Sequence, residues 1–301
     1  MCKEITFIIP THNRKDYLKE AIESICVDNE FSYEIIIIND ASTDDTEKYI
    51  REIEKKYPII YIYNGESRFA HGARKQGVNI LDSKYVVFMD DDDYYIDRSF
   101  ISEGIRILND HASVACVIGS TRDYIDEKVL DKIDLGGEGV IPQKDYINQF
   151  GKKYQKPHST LSAIFRVSGL KKAGILDSKM VNDTCIYLYG ISTGEVYLMN
   201  KAVAAYRVHS TNISKGSFKK DFIFDCLTTK KEICEYYSEN DLIRQKNNWK
   251  IENYSSSIFY FISSSKNKIK TGFWALEWMM INNPFIAIRI IIKGIRDKVK
   301  E

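Results

Sequence analysis

The chain has 301 residues, 44% of them apolar, enough for one large domain or for one domain with an appendage. A formal net charge of +1 removes the electrostatic case for a nucleic-acid-binding protein. Cys2, Cys26, Cys116, Cys185, Cys226 and Cys234 stand singly, without the paired spacing of a zinc site or a disulfide framework, which fits a reducing cytoplasm. No apolar run reaches the roughly 18 residues of a membrane span, and the N-terminus leads into a strand pattern rather than a signal peptide.

Ile5 to Ile9 reads as a strand stopped by Pro10, which has no N–H for the ladder. Thr11-His12-Asn13-Arg14 follows as a loop, and Tyr17, Leu18, Ala21, Ile22 and Ile25 recur at helical spacing from Asp16 to Cys26. Tyr33 to Ile38, with its run of isoleucines, reads as a strand buried on both faces, as in a parallel sheet. It leads into Asn39-Asp40-Ala41-Ser42-Thr43-Asp44-Asp45-Thr46, where Ser42 and Asp45 have capping-box spacing ahead of a helix to Lys56. Ile59 to Tyr63 is a third strand, Gly72 opens a third helix, and Tyr85 to Met89 is a fourth strand. This alternation predicts an α/β fold with a mostly parallel sheet and right-handed crossovers. Ligands of such sheets bind outside the carboxyl ends of the strands, where Thr11, Asp40 and Asp90 stand.

The fourth strand runs into Asp90-Asp91-Asp92-Asp93. Adjacent carboxylates at the end of a buried strand repel one another, and a hard divalent cation, Mg²⁺ or Mn²⁺, keeps them ionised; a solvated acidic turn is the plain alternative. The run is no EF-hand, because Tyr95 stands where glycine and Ile101 where glutamate would be required. Neither GxGxxG nor GxxxxGK[ST] occurs, so dinucleotide and P-loop chemistry are unsupported. Further on, a helix from Asp97 to Leu108, a strand from Val114 to Ile118, an extended Ser159–Phe165, a helix from Ser168 to Ala173, a helix ending at Gly190, and short strands at Val196–Met199 and Val203–Arg207 are expected. From residue 218 the composition shifts to Lys, Glu, Tyr and Asn with helical spacing, which gives the boundaries 1–217 and 218–301 for a main domain and a helical C-terminal region. In the last helix Phe285, Ile288, Ile292, Ile295 and Val299 share one face, and Arg289, Lys293, Arg296 and Lys300 another. That pattern suits an anionic membrane surface, packing on the domain, or a second subunit.

Six segments in this order resemble glycosyltransferase family 2, inverting transferases on the nucleotide-sugar-binding GT-A fold. They are Phe7 to Arg14, Asn39 to Thr46, Gly72-Ala73-Arg74-Lys75-Gln76-Gly77 (with Lys75 where the family has Asn), Phe88 to Asp93, Asn182-Asp183, and Tyr206-Arg207-Val208-His209 to Ser214. The resemblance implies a nucleotide-diphosphate-sugar donor, UDP-linked by preference, and Mn²⁺ or Mg²⁺ as cofactor. It places Pro10, Thr11, Asn13 and Arg14 at the base and ribose, Asp40 on a uracil N3–H, and Arg74 at the base or phosphates. Asp90 and Asp91 fall at the ribose or its phosphate, Asp92 on the metal with His209 as a second ligand or diphosphate contact, and Asp183 as general base. The acceptor it implies is a saccharide or lipid-linked saccharide of surface-polysaccharide synthesis, handled in the cytoplasm or at the inner face of the membrane.

Read alone, Asp183 is equally a helix N-cap, His209 a hydrogen-bonded loop residue and Arg74 a salt-bridge partner. His12, His71, His111 and His158 carry no motif. Two other readings compete: a nucleotidyltransferase that makes the sugar nucleotide, which wants a glycine-rich loop where Pro10-Thr11-His12-Asn13 stands, and a non-catalytic scaffold on the same fold.

Overall fold

The computed structural model describes residues 3–125, 128–208 and 218–300, with side chains as far as residue 292 in the last helix. The chain divides into two compact units, Met1–His209 and Ser210–Glu301.

The first unit opens with β1 (Ile5–Thr11), α1 (Lys15–Ser24), β2 (Tyr33–Asp40), α2 (Thr46–Ile53), β3 (Ile59–Asn64), α3 (Phe69–Asn79) and β4 (Tyr85–Phe88). These strands are parallel, in the order β3-β2-β1-β4. Ile35, Ile36, Ile37 and Ile38 are all fully buried, because helices cover both faces of a sheet built by crossovers. Pro10 does not end β1. The strand runs on to Thr11 beside β2, whereas its pairing with β4 stops at Ile8. The Ile8 carbonyl accepts from Met89 on the β4 side, so by the two-residue period the missing N–H of Pro10 also faces that side, where no ladder remains. Chain order reverses between β1 and β4, which makes their carboxyl ends the switch point.

The second half of the unit holds β5 (Tyr94–Tyr95), α4 (Phe100–Asp110), β6 (Val114–Ile125), β7 (Lys128–Lys132), β8 (Gly139–Ile141), α5 (Gln143–Gln149), β9 (Ala163–Arg166), α6 (Val167–Lys172), α7 (Asp183–Gly190) and β10 (Glu195–Val208). It extends the sheet as β4-β9-β6-β10-β5, with β9 antiparallel to both neighbours and β5 antiparallel to β10. Two expectations change here. β6 continues to Ile125 because β10 pairs with it in parallel as far as Val208, and the two short strands expected after residue 195 are one strand with register irregularities between Met199 and Ala204.

Two glycines let helices approach the sheet closely. A Cβ on Gly77 of α3 would stand 2.7 Å from the Ile8 side chain, and one on Gly190 would drive α7 into the Phe165 ring. Arg74 is on α3 and Asp183 on α7.

The second unit is four helices: α8 (Lys220–Glu239), α9 (Lys246–Ser264), α10 (Lys268–Asn282) and α11 (Pro284–Lys300). Its interior centres on Tyr237, Tyr254 and Trp278, whose indole donates to Thr228 Oγ1 at 3.0 Å. Phe218, Phe222 and Phe261 stack alongside. Among the described residues no helix is long and apolar enough to cross a membrane.

Candidate active site

The four aspartates after β4 are almost wholly buried apart from Asp90, and two arginines span them. Arg14, just past β1, donates to Asp91 Oδ1 at 3.0 Å and to Asp92 Oδ2 at 2.6 Å. Arg74 donates from one guanidinium nitrogen to Asp90 and from the other to Asp183 Oδ1 at 2.8 Å. Arg74 thereby joins the end of β4 to the first turn of α7, where Asp183 lies 109 residues beyond Arg74 itself. Asp183 is not the N-cap of α7. Asn182 takes that role by accepting the Cys185 N–H, which leaves the Asp183 carboxylate free for Arg74. The Asp183 side chain remains 34% exposed against 5% for Arg74, so a substrate can reach the carboxylate but not the cation behind it.

These positions set the protonation of the site. Burial works to raise the pKa of Asp183, but Arg74 and then Lys156 outweigh it and hold the carboxyl below the usual range. Burial also pushes Asp90 up, with Asp183 and Asp92 adding repulsion that Arg74 only partly offsets. Asp91 is pushed up to about 7 by burial in spite of Arg14. Asp93 is pushed well up by burial and by Asp92 and Asp90, with Ser159 and the Arg207 N–H pulling against them. Asp91 Oδ2 and Asp93 Oδ2 are buried without a hydrogen-bond partner. A surplus of desolvated carboxylate oxygens fits a hard divalent cation by donor chemistry and charge. Among the described residues, however, no three carboxylate, histidine or cysteine side chains are gathered as a ligand set. Asp92 is engaged by Arg14, and His209 lies outside the described residues.

Beside this cluster a second network ties the rim together. Asp40 closes β2, and its carboxylate accepts from Asn64 Nδ2 at 2.9 Å, from Ser67 Oγ at 2.6 Å and from the Arg68 N–H at 2.9 and 3.0 Å. Burial would raise its pKa, but the hydrogen bonds from Ser67, Arg68 and Asn64 hold it low. The Asp40 carbonyl accepts His12 Nδ1–H at 2.6 Å. Asn13 adopts a left-handed backbone, φ 54°, and its side-chain oxygen accepts the Thr43 N–H at 2.6 Å while its own N–H donates to Ser42 Oγ. Ser42 therefore braces the β1 loop and makes no capping box; α2 starts instead at Thr46, whose N–H bonds Asp44. His71, on α3, feels burial first, then Arg74, both lowering its pKa, with Asp40 opposing, so it lies between the two networks.

The sequence expectations place as follows. Arg74, Asp90 and Asp183 meet, as do Arg14, Asp91 and Asp92. Arg14 thus contacts the acidic loop. Pro10 and Thr11 are buried at the end of β1, and Asn13 and Asp40 serve the adjoining loops.

The profile of glycosyl transferase family 2 matches residues 6–174. The chain belongs to glycosyl transferase family 2. Its architecture is the GT-A fold of that family: TarS of Staphylococcus aureus, residues 1–349 in complex with UDP-GlcNAc, superposes with a TM-score of 0.66 at 16% identity over 92% of this chain and 81% of that one. Among relatives, the chain is 31% identical to the putative teichuronic acid biosynthesis glycosyltransferase TuaG of Bacillus subtilis, over 71% of this chain and 83% of TuaG. It is 29% identical to the UDP-Glc:alpha-D-GlcNAc-diphosphoundecaprenol beta-1,3-glucosyltransferase WfaP of Escherichia coli, over 72% and 82%. Against glycosyltransferase GlyA of Streptococcus pneumoniae it is 26% identical, and there it spans only 32% of the relative's length.

Two residues of this glycosyl transferase were missed in the sequence. The Arg207 N–H donates to Asp93 Oδ1 at 3.0 Å, and its guanidinium reaches the Asp92 carbonyl at 3.2 Å and Glu20 at 2.6 Å while lying 4.4 Å from the Tyr94 ring centre. It was visible as the arginine of the Tyr206-Arg207 segment, without a role. Lys156 acts on Asp183 through its charge and lies 5.4 Å from the Tyr187 ring centre; a lysine in an irregular segment gives no sequence signal.

Proposed function

We propose that this chain is an inverting, metal-dependent glycosyltransferase that moves a sugar from a nucleotide-diphosphate donor, UDP-linked, to a hydroxyl of a lipid-linked saccharide during surface-polysaccharide synthesis. The observation that carries the reading is the bridge by Arg74 between Asp90 and Asp183, which sets a reachable, ionised carboxylate beside an acidic cluster at the switch point. The UDP-Glc donor of WfaP and the UDP-GlcNAc bound by TarS favour UDP, and the diphosphoundecaprenol-linked acceptor of WfaP favours a lipid-linked acceptor.

Inversion is one in-line displacement. The acceptor oxygen forms a bond to the anomeric carbon as the bond from that carbon to the diphosphate oxygen breaks, and the departing diphosphate keeps the electron pair. Asp183 takes the acceptor proton. Its lowered pKa makes it a weak base in the resting site but keeps it ionised at neutral pH, and Arg74 fixes its direction. A divalent cation, when bound, supplies charge stabilisation to the departing diphosphate. Asp92 would hold it, with His209 and the neighbouring Asp91 as further oxygen or nitrogen donors. Arg14 then has a second role, moving from Asp92 towards donor phosphate. The loops pinned through Asn13, His12 and Asp40 form the base pocket, and recognition of a uracil edge by Asp40 exchanges one of its present bonds to Asn64, Ser67 or Arg68 for the base N3–H.

The test is UDP release from a panel of UDP-sugars with and without Mn²⁺, using diphospholipid-linked saccharides as acceptors. Turnover that needs Mn²⁺ and is lost in Asp92→Ala and Asp183→Asn supports the reading. Equal turnover in Asp183→Asn removes its base, and incorporation of labelled nucleoside triphosphate with pyrophosphate release replaces the reaction by nucleotidyl transfer.

A further inference from the structure

The second unit keeps much of its apolar surface outside. Ile269, Phe273, Met280 and Ile281 of α10 and its end, and Phe285 and Ile288 of α11, are 52 to 82% exposed. On α10 the spacing of 269, 273 and 280 places three of these side chains on one helical face. On α11 the packing face is Ile286, Ala287 and Ile290, and the stripe of Phe285, Ile288 and Ile292 turns outward. A helix apolar on nearly all sides normally has every side covered. Among the described residues, the side of α11 that carries Phe285, Ile288, Ile291 and Ile292 has no such cover.

The charges around this surface have one sign. Lys266, Lys268 and Lys270 are exposed and interleave with Ile269, and exposed Arg289 follows Ile288. From Lys266 to Glu301 the sequence has eight lysines and arginines against three acids. The only acid of α10, Glu277, is paired with Lys220 at 2.6 Å. A second copy docked through this face would set these like charges against each other, whereas an anionic surface attracts them.

We propose that the exposed face of α10 and α11 docks on an anionic lipid bilayer. Ile269, Phe273, Ile281 and Phe285 enter the boundary between headgroups and acyl chains, and the lysines and Arg289 lie at the phosphates, their aliphatic stems covering the edge of the apolar area. Neither helix spans the bilayer; the attachment is reversible and weakens with salt. It rests on the transfer reading only in that a lipid-carried acceptor gives the attachment a purpose.

The experiment is flotation of the full chain with vesicles of phosphatidylcholine alone and with 30% phosphatidylglycerol (about the charge of an anionic leaflet), at low and high salt. The chain is expected to float with the anionic vesicles only. The triple variant F273S/F285S/I288S and the charge variant K266E/K268E/K270E are each expected to bind at least about tenfold more weakly, with unchanged melting temperatures because these side chains are exposed. Absence of flotation, flotation untouched by both variants, or a dimer in sedimentation that F273S/F285S/I288S makes monomeric would each overturn the proposal. UDP release with a soluble saccharide acceptor is measured on the same variants. Its retention alongside lost flotation supports docking as a separate property, and its absence in the parent chain alongside intact flotation faults the transfer reading alone.

Discussion

Arg74 and Arg14 each span two carboxylates at the same acidic loop, yet they are built differently. Arg74 lies on a helix pressed against β1 through Gly77, is buried, and has one nitrogen, Nε, sealed away without a partner. Its two carboxylates come from the acidic loop after β4 and from α7, far apart in sequence, so its contacts are contacts of the fold. Arg14 stands in a loop, with a side chain 17% exposed, and both its partners are neighbours on one loop. A fixed cation serves to aim Asp183, and a cation at the rim is one that another charge can replace. On the proposed mechanism the first arginine belongs to the frame of the site and the second to its chemistry.

The largest expected effect comes from removing the fixed cation. Arg74→Met leaves Asp90 and Asp183 facing each other with only the charge of Lys156 acting on Asp183, and breaking a buried pair in this way costs about 3–5 kcal/mol. Urea denaturation should show that loss, and Mn²⁺ should restore little of it. If Mn²⁺ restores most of the stability, Arg74 is as replaceable as Arg14 and the distinction collapses. Next, Asp183→Asn should lower kcat by about 10³-fold, within the range of lost general-base catalysis, while the chain keeps its fold because Asn182 still caps α7. Full activity in this variant would mean that Arg74 aims nothing of catalytic use.

Arg14→Met should have a smaller effect on folding, about 1–3 kcal/mol, since it removes charged hydrogen bonds at a partly wet position. Here Mn²⁺ should recover most of the loss, seen as a larger rise in melting temperature than the parent chain shows. An Mn²⁺ response equal to the parent's would show that the metal does not share the place of Arg14.

The frame was legible in the sequence and the chemistry only in part. The isoleucine run of β2 and the apolar runs of β1 and β4, which lead to Asp40, Thr11 and Asp90, fix three strand positions, because burial on both faces leaves a plain apolar signature. The far half of the sheet carries no such mark. β5 has two residues, β7 and β8 are short and exposed, and β9 runs antiparallel after an irregular segment, so composition there indicates strands without their direction. Of the site, the acidic loop, Asp183, Arg14 and Arg74 could be named, but which carboxylate each arginine binds could not. Arg14 and Asp91 are 77 residues apart, and only the folded sheet brings them together. The cap reading of Asp183 was a local one, and a neighbouring residue removes it: Asn182 caps α7 because its side chain reaches the Cys185 N–H.

The effect that is smallest at each pH step is also the one that tests the rim most directly, through pH. Asp91 is pushed up to about 7 in the folded chain, from the usual carboxylate value near 4 when unfolded. Between those values the folded state holds a proton that the unfolded state has released, so stability falls as pH rises from about 4 to 7 and is level above it, by at most about 1.4 kcal/mol per pH unit. Asp40, Asp97 and Glu103 are held low, so their contributions are lost only as pH falls through their folded values, below this window. Asp90 and Asp93 slope the same way as Asp91, which makes the informative quantity a difference between chains. In metal-free buffer the parent should lose stability faster than Asp91→Asn as pH rises from 4 to 7. Mn²⁺ should flatten the parent's slope, since a cation favours the ionised carboxylate. Identical slopes for the two chains would mean that Arg14 already keeps Asp91 ionised, and then the rim arginine is as fully committed as the buried one.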